Sequence, residues 1–464
     1  MAGWRAGAGL AAVLLVAACA KDEVVLPGER FDLRDLDAPE AAAVLATTED
    51  PTRPGIGPQP PREIPLPAYS VVGEGASISL PAARAVSDWR QVAQNAGHLS
   101  PHAQLSAGPL GQIWAAPLGT GSSDRTRMGA QPVSDGARVY AMDADFNVSA
   151  VGPGGAPVWR QALTPAGETP GEVSGGGMAV SDGKLFVTTG FGRLHALDAA
   201  TGAPLWVQKF GGATPAAPLV DGGLVYVVSR DGFGSAVDAG SGRILWQVEG
   251  SPAAASVLGS GVPAIAGKAV VFPFGDGELL AVLREAGVSL WSASVAGERT
   301  GRAYAGVGGV AGGPVVAGDT MYVATESGRL AALDAATGAR LWTTLEGATG
   351  PVVAAGGSLF LMSDEARLLR ISAADGALVW AATLPLFEEA KIRRRKDVFV
   401  HYGPILAGGR LILASTDGLM REVDPATGTL LRATQLGAPA ASAPIVVNGV
   451  LYVITQDGTL RAFR

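Results

Sequence analysis

A single cysteine, Cys19, stands among 464 residues, and a lone thiol cannot build an internal disulfide, a CxxC redox pair or a cysteine zinc cluster. Histidine is scarce too: His98, His102, His195 and His401 are scattered, with no HExxH or metal-ligand spacing between them. His98 and His102 lie four apart, but Gly97 and Pro101 disfavour the helix that would align them, so both read as surface polar residues. Charged residues make up only 17% and the net charge is −7, which lacks the concentrated basic surface that nucleic acid requires. No apolar run approaches the roughly 20 residues of a spanning helix. The glycine-rich 175–177 stretch does not follow a phosphate-loop pattern and reads as turns.

What is abundant is apolar residues, at 48%, with 65 glycines and 31 prolines. That mixture suits many short strands joined by tight turns. The chain opens with Arg5 and a short apolar stretch that ends Leu15-Val16-Ala17-Ala18-Cys19, which looks like a bacterial lipobox, with Cys19 as the lipid-attachment residue. Ala20 follows instead of Asp, so outer-membrane sorting is expected. An ordinary secretory signal with a chance cysteine is the alternative. Residues 1–18 are thus read as a lipoprotein signal, and 19–87 as a lipid-anchored, disordered tether. The tether carries Pro51, Pro54, Pro58, Pro60, Pro61, Pro65 and Pro67, a composition that favours extended polyproline II. A short helix from Pro39 to Ala46 is also expected there.

Residues 88–464 carry a repeat. The phrase Ala196-Leu-Asp-Ala-Ala-Thr-Gly-Ala-Pro-Leu-Trp206 returns as 236–246 and 332–342. Asp198, Asp238 and Asp334 begin hairpin turns, where a carboxylate accepts local backbone N–H groups; Gly202, Gly242 and Gly338 adopt positive φ. Trp206, Trp246 and Trp342 close each phrase and fill the wedge between neighbouring sheets. Trp159, Trp206, Trp246, Trp291, Trp342 and Trp380 recur at the period of a four-stranded blade. A seventh copy, 422–432, has Arg432 at the Trp position. An eighth starts at Pro444 and lacks its last strand, which 110–118 supplies from the other end of the chain. The fold class is all-β: an eight-bladed β-propeller closed by N- and C-terminal strands.

The Asp-x-x-Thr-Gly-x-x-x-Trp phrase is similar to the repeat of the quinoprotein propellers, which include pyrroloquinoline quinone dehydrogenases. With the lipobox, the tether and the eight-blade count, the whole chain resembles the propeller lipoproteins of the β-barrel assembly machinery in Gram-negative outer membranes. That resemblance implies a non-catalytic scaffold, facing the periplasm, that docks on the periplasmic domains of the central barrel assembly protein. Its clients would be unfolded outer-membrane proteins. It implies docking loops at 255–259, before Pro263, and at 298–304, before Pro314. Val257, Leu258, Arg302 and Tyr304 are the candidate contacts, although the family's arginine in the first loop and its aspartate pair in the second are absent. A propeller lipoprotein of another envelope complex and a periplasmic quinone-dependent oxidoreductase remain alternatives. The cysteine pair of the enzymes is missing, and no catalytic, cofactor or metal site is expected.

One insertion, 386–399, holds five cations within six residues: Lys391, Arg393, Arg394, Arg395 and Lys396. A solvated loop is the plain reading. The sharper one is a patch, centred on Arg394 and Arg395, that meets an acidic partner surface or anionic lipid headgroups.

Overall fold

Every blade is built from a run of β-branched and aromatic residues cut by glycine turns, and each such run pairs with the next in sequence order. The computed structural model describes residues 69–169, 171, 173–252, 261–297, 309–389 and 391–464. The expected helix near Pro39 and the lipobox lie outside them. Two units divide the chain, 1–65 with 389–394, and 66–388 with 395–464. The second consists of eight antiparallel sheets. Blades one to seven occupy 133–162, 176–209, 219–249, 264–294, 315–344, 353–383 and 401–435. Blade eight takes three strands from 445–463 and its fourth, Gln112–Pro117, from the N-terminal side, pairing Gln112 with Phe463 and Pro117 with Thr459. The expected closure is therefore present, and it removes the open edge that a ring of consecutive hairpins would leave.

Interdigitating layers between neighbouring blades form the core. Phe186 and Leu194 of blade two pack with Val225 and Val237 of blade three, and comparable layers join the other pairs. A larger one joins blades seven, eight and one across the closure.

The tryptophans and the turn glycines turn out to be two halves of one contact. A Cβ on Gly202 would lie 2.5 Å from the Trp159 ring, and Gly242 and Gly338 stand in the same relation to Trp206 and Trp291 of the preceding blade. The glycines sit at φ +76°, +74° and +73°. Trp159 Nε1–H donates to the Ala199 carbonyl at 3.0 Å, and Trp342 Nε1–H to Ala373 at 3.1 Å. The indole thus lies flat on a residue with no side chain; the one donor of Trp159 and of Trp342 is satisfied, while those of Trp246 and Trp291 are buried without a partner.

Blade seven departs from the repeat for a topological reason. The third and fourth strands of blade eight, Thr459–Phe463 and Gln112–Pro117, are not joined by a hairpin, so the turn glycine that receives an indole in the other blades is missing there. Arg432 instead donates to the Ala107 carbonyl at 2.8 Å and lies 3.7 Å from Glu422. Glu422 is fully buried and ion-paired with Arg410, which also donates to the Ser106 carbonyl at 2.6 Å. Removing one member of a buried pair leaves an uncompensated charge. Glu422→Ala is therefore expected to cost about 3–5 kcal/mol, read from urea denaturation, and Glu422→Gln less; a wild-type midpoint for both variants would contradict this.

The stretch 69–105 joins the body well upstream of residue 88. Ser70–Val72 pairs with the outer strand of blade six. Farther on, the chain crosses one end of the channel. Val86 accepts from Asn448 N–H, Trp89 pairs with Ser134, Arg90 accepts from Val180, Gln91 from Val220, Ala96 from Ile265 and Gly97 from Val316. Ala103 then donates to Leu406, and Ser79 lies against Gly356 of blade six. This plug satisfies inner-edge backbone groups that would otherwise line an empty shaft. It also corrects the reading of two histidines. His98 and His102 are buried in the plug, not surface residues. His98 Nδ1 lies 2.9 Å from the Pro314 carbonyl, and His102 bridges Pro81 and Gly409.

Candidate functional site

The plug makes the channel blind. From its floor at Val92 a cavity of about 960 Å³ runs between the inner strands to the opposite face. Gly176, Gly177, Val262, Gly312 and Gly350 contribute to its wall, and Asp124, Arg127, Glu388 and Lys396 to its mouth. Gly176 and Gly177 begin the inner strand of blade two instead of forming a turn. A Cβ on Gly177 would meet Ala217 at 2.5 Å, so this glycine allows the inner strands of blades two and three to approach.

The chemistry on offer in the cavity is limited. His401 Nε2 lies 2.8 Å from the Pro385 carbonyl and Nδ1 lies 2.7 Å from Ser415 Oγ. That pairing has the outline of a base and a nucleophile. However, Ser415 is fully buried and its oxygen also accepts from Arg421 at 3.1 Å, so the pair fastens two strands. Burial holds His401 down to about 4 and pushes the Tyr402 phenol up to about 12. Among the described residues no group of three or more His, Cys, Asp or Glu side chains is placed to hold a metal ion.

The repeat carboxylates are occupied by their own turns. Asp198 Oδ1 accepts from the Thr201 hydroxyl and N–H, both at 2.8 Å, and from Ala200 N–H at 3.0 Å. Asp238 and Asp334 do the same with Ser241 and Thr337. These bonds, the side-chain hydroxyl first, hold all three carboxyls below their ordinary values. Their Oδ1 atoms are thus engaged in holding the hairpin turns.

Val257, Leu258, Arg302 and Tyr304 lie outside the described residues. The roots of their two loops do come together: Gly261 N–H donates to the Val310 carbonyl at 3.1 Å. Both roots open on the face that carries the cavity mouth, beside a small crevice lined by Ala216, Arg230, Phe274 and Val310. In the insertion, Phe387 bridges to Val398. Arg395 is buried, its guanidinium 4.8 Å from the Phe387 ring centroid. It serves the base of the loop, so the exposed cations are Lys391, Arg393, Arg394 and Lys396. Residues 389–394, taken by themselves, include a single 3-10 turn, Ile392–Arg394.

The plug and its buried histidines escaped sequence reasoning because 78–105 has no repeat phrase and its contacts are each made to a different blade. Trp89, outside the tryptophan period, was the available signal.

Comparison with known proteins places this architecture. A family described as "Outer membrane protein assembly factor BamB" matches residues 144–382 and 392–464. A protein of that name from Yersinia pestis is 22% identical over 358 residues, covering 76% of this chain and 88% of the relative. One from Burkholderia pseudomallei is 28% identical over 359 residues, covering 76% and 87%. In three dimensions, BamB from Moraxella catarrhalis superposes with a TM-score of 0.62 at 21% identity, over 77% of this chain and all of that one. A quinohemoprotein alcohol dehydrogenase from Comamonas testosteroni gives 0.63 at 16% identity, over 82% and 81%. At these identities the structural likenesses establish the propeller fold.

Proposed function

The chain belongs to the family of the outer membrane protein assembly factor BamB, and from that premise we propose that it is a non-catalytic scaffold of outer-membrane β-barrel assembly. The observation that carries this reading is a single family match running from blade one to the C-terminus, with only 383–391 left out. A lipid on Cys19 would hold the chain at the outer membrane, facing the periplasm. Its partners would be the central barrel assembly protein and unfolded outer-membrane proteins. Gly261 and Val310, next to the 255–259 and 298–304 loops, are hydrogen-bonded to each other, which supports these two loops as the docking region, with Val257, Leu258, Arg302 and Tyr304 as the candidate contacts. Likeness to a dehydrogenase in fold alone assigns no chemistry.

Affinity purification of the tagged chain from its native envelope in gentle detergent tests this. Recovery of the central barrel assembly protein is expected; its absence would overturn the scaffold reading. The exposed cations of the insertion are a second contact. Replacing Lys391, Arg393, Arg394 and Lys396 by Ser is expected to lower that recovery several-fold and to reduce its sensitivity to salt, whereas unchanged recovery would return the insertion to an ordinary solvated loop.

A further inference from the structure

Seven of the eight blades described end outward in a strand with no neighbour. Such an edge leaves backbone donors and acceptors to water, and proteins ordinarily blunt it with charge or proline. These rims carry some proline and charge, Pro204 and Lys209 at the two ends of the blade-two strand among them, yet most also expose a large apolar residue beside the ring aromatic, as Leu205, Leu245 and Leu341 do. Among the described residues, blade six alone is covered. Ser70–Val72 adds to its outer strand as a fifth, antiparallel strand, with Ser70 opposite Thr383 and Val72 opposite Ala381. Trp380 beneath is fully buried, while Trp159, Trp206 and Trp342 remain partly exposed. The Tyr69 hydroxyl donates to the carbonyl of Gly428, the glycine on which Trp380 lies. The covering segment is thus an aromatic residue followed by an extended, β-branched stretch.

We propose that the uncovered rims accept an extended strand of an unfolded transmembrane β-barrel by the same edge pairing, first of all on blade two at Pro204–Lys209. Tyr69–Val72 displays the mode of binding within the chain itself. Transmembrane strands are extended, rich in apolar residues and carry aromatic residues near their ends, as the covering segment does with Tyr69, Val71 and Val72. Blade two is singled out because Leu205 and Val207, alternate residues of one strand, are both about half exposed, at 48% and 46%. Main-chain pairing supplies affinity for many sequences and the apolar residues select strands over polar chain. This inference rests on the assembly reading and names how its substrate is held.

The test is binding of a fluorescently labelled, urea-unfolded eight-stranded outer-membrane barrel to the full-length protein, followed by anisotropy on dilution. Leu205→Lys/Val207→Lys is expected to weaken binding at least tenfold. Val288→Lys/Leu345→Lys, which adds the same charge at exposed apolar residues outside the rim strands, should stay within twofold. A photo-crosslinking residue at 207 in the otherwise wild-type chain should capture the unfolded barrel, and one at Glu168 should not; this arm holds even if the lysines unfold blade two. Wild-type affinity in the rim variant, or capture at 168 and not at 207, overturns the proposal. Failure of the wild-type chain to bind also overturns it, but leaves the scaffold reading standing wherever the central barrel assembly protein still co-purifies.

Discussion

Between pH 6.5 and 4 the folded chain is expected to lose several kcal/mol of stability, before most carboxylates titrate. His98, His195 and His401 are each held near 4 in the folded state, in all three cases chiefly by burial. Their unfolded value is about 6.5. Below that value the unfolded chain binds protons that the folded chain refuses, so stability is full above pH 6.5 and falls as pH drops toward 4. At one pK unit per ~1.4 kcal/mol, each ring contributes up to about 3 kcal/mol. The geometry gives the same sign. His98 Nε2 and His195 Nε2 are buried without a partner, so a proton on either would be a desolvated charge. Both nitrogens of His401 are engaged, and one must accept from Ser415 if the other donates to Pro385. Urea unfolding at half-unit pH steps should show uptake of two to three protons per molecule near pH 5. A stability flat from pH 7 to 4.5 would contradict the burial of these rings. Because His98 sits in the plug, His98→Asn should remove about one proton from the uptake even where it lowers stability at pH 7.

The second large effect concerns the contact between blades. Gly202→Val is expected to destabilise the fold by about 3 kcal/mol or more. It places a β-branched side chain at φ +76° and drives its Cβ to 2.5 Å from the Trp159 ring. The backbone share of that cost can be isolated. Gly183 has φ +72° with no atom within 4 Å of its would-be Cβ, so Gly183→Val meets the same conformational penalty, about 1–2 kcal/mol, without the indole. The difference between the two variants in urea midpoint measures the steric share of the inter-blade contact. Equal losses would mean that Trp159 moves aside freely and that the tryptophan–glycine pair does not set blade spacing.

These two expectations mark what was legible in the sequence. The blades were visible because their signals are local: Asp198, Thr201, Gly202 and Trp206 lie within one hairpin, and the same spacing recurs. Even the closure could be inferred from a missing last strand. What the phrase did not reveal is that Trp206 meets Gly242 of the next blade and not its own Gly202, a pairing set by ring geometry. Arg432 at the Trp position accompanies a neighbouring blade whose last two strands share no hairpin turn. The stretch 69–105 was unreadable for the opposite reason. Ser70–Val72 is too short to show a period of two, and the residues from Ser79 to Ala103 answer to eight different blades, so nothing repeats along them. Arg395 read as one more surface cation because sequence records charge and not the Phe387 ring beneath it. The candidate docking residues were reachable by family resemblance alone, since a loop's function is not written in its periodicity.

A propeller that serves outer-membrane β-barrel assembly must change how fast barrels fold. The most direct test is to reconstitute the assembly machinery of the source envelope in liposomes, with and without this chain. Folding of a urea-unfolded barrel protein would then be followed by the heat-dependent shift in its gel mobility. Folded barrel is expected to appear several-fold faster when the chain is present, an advantage lost when it is omitted and restored when it is added back. Identical rates in both preparations, with the chain bound to neither the central barrel assembly protein nor its substrate, would contradict it.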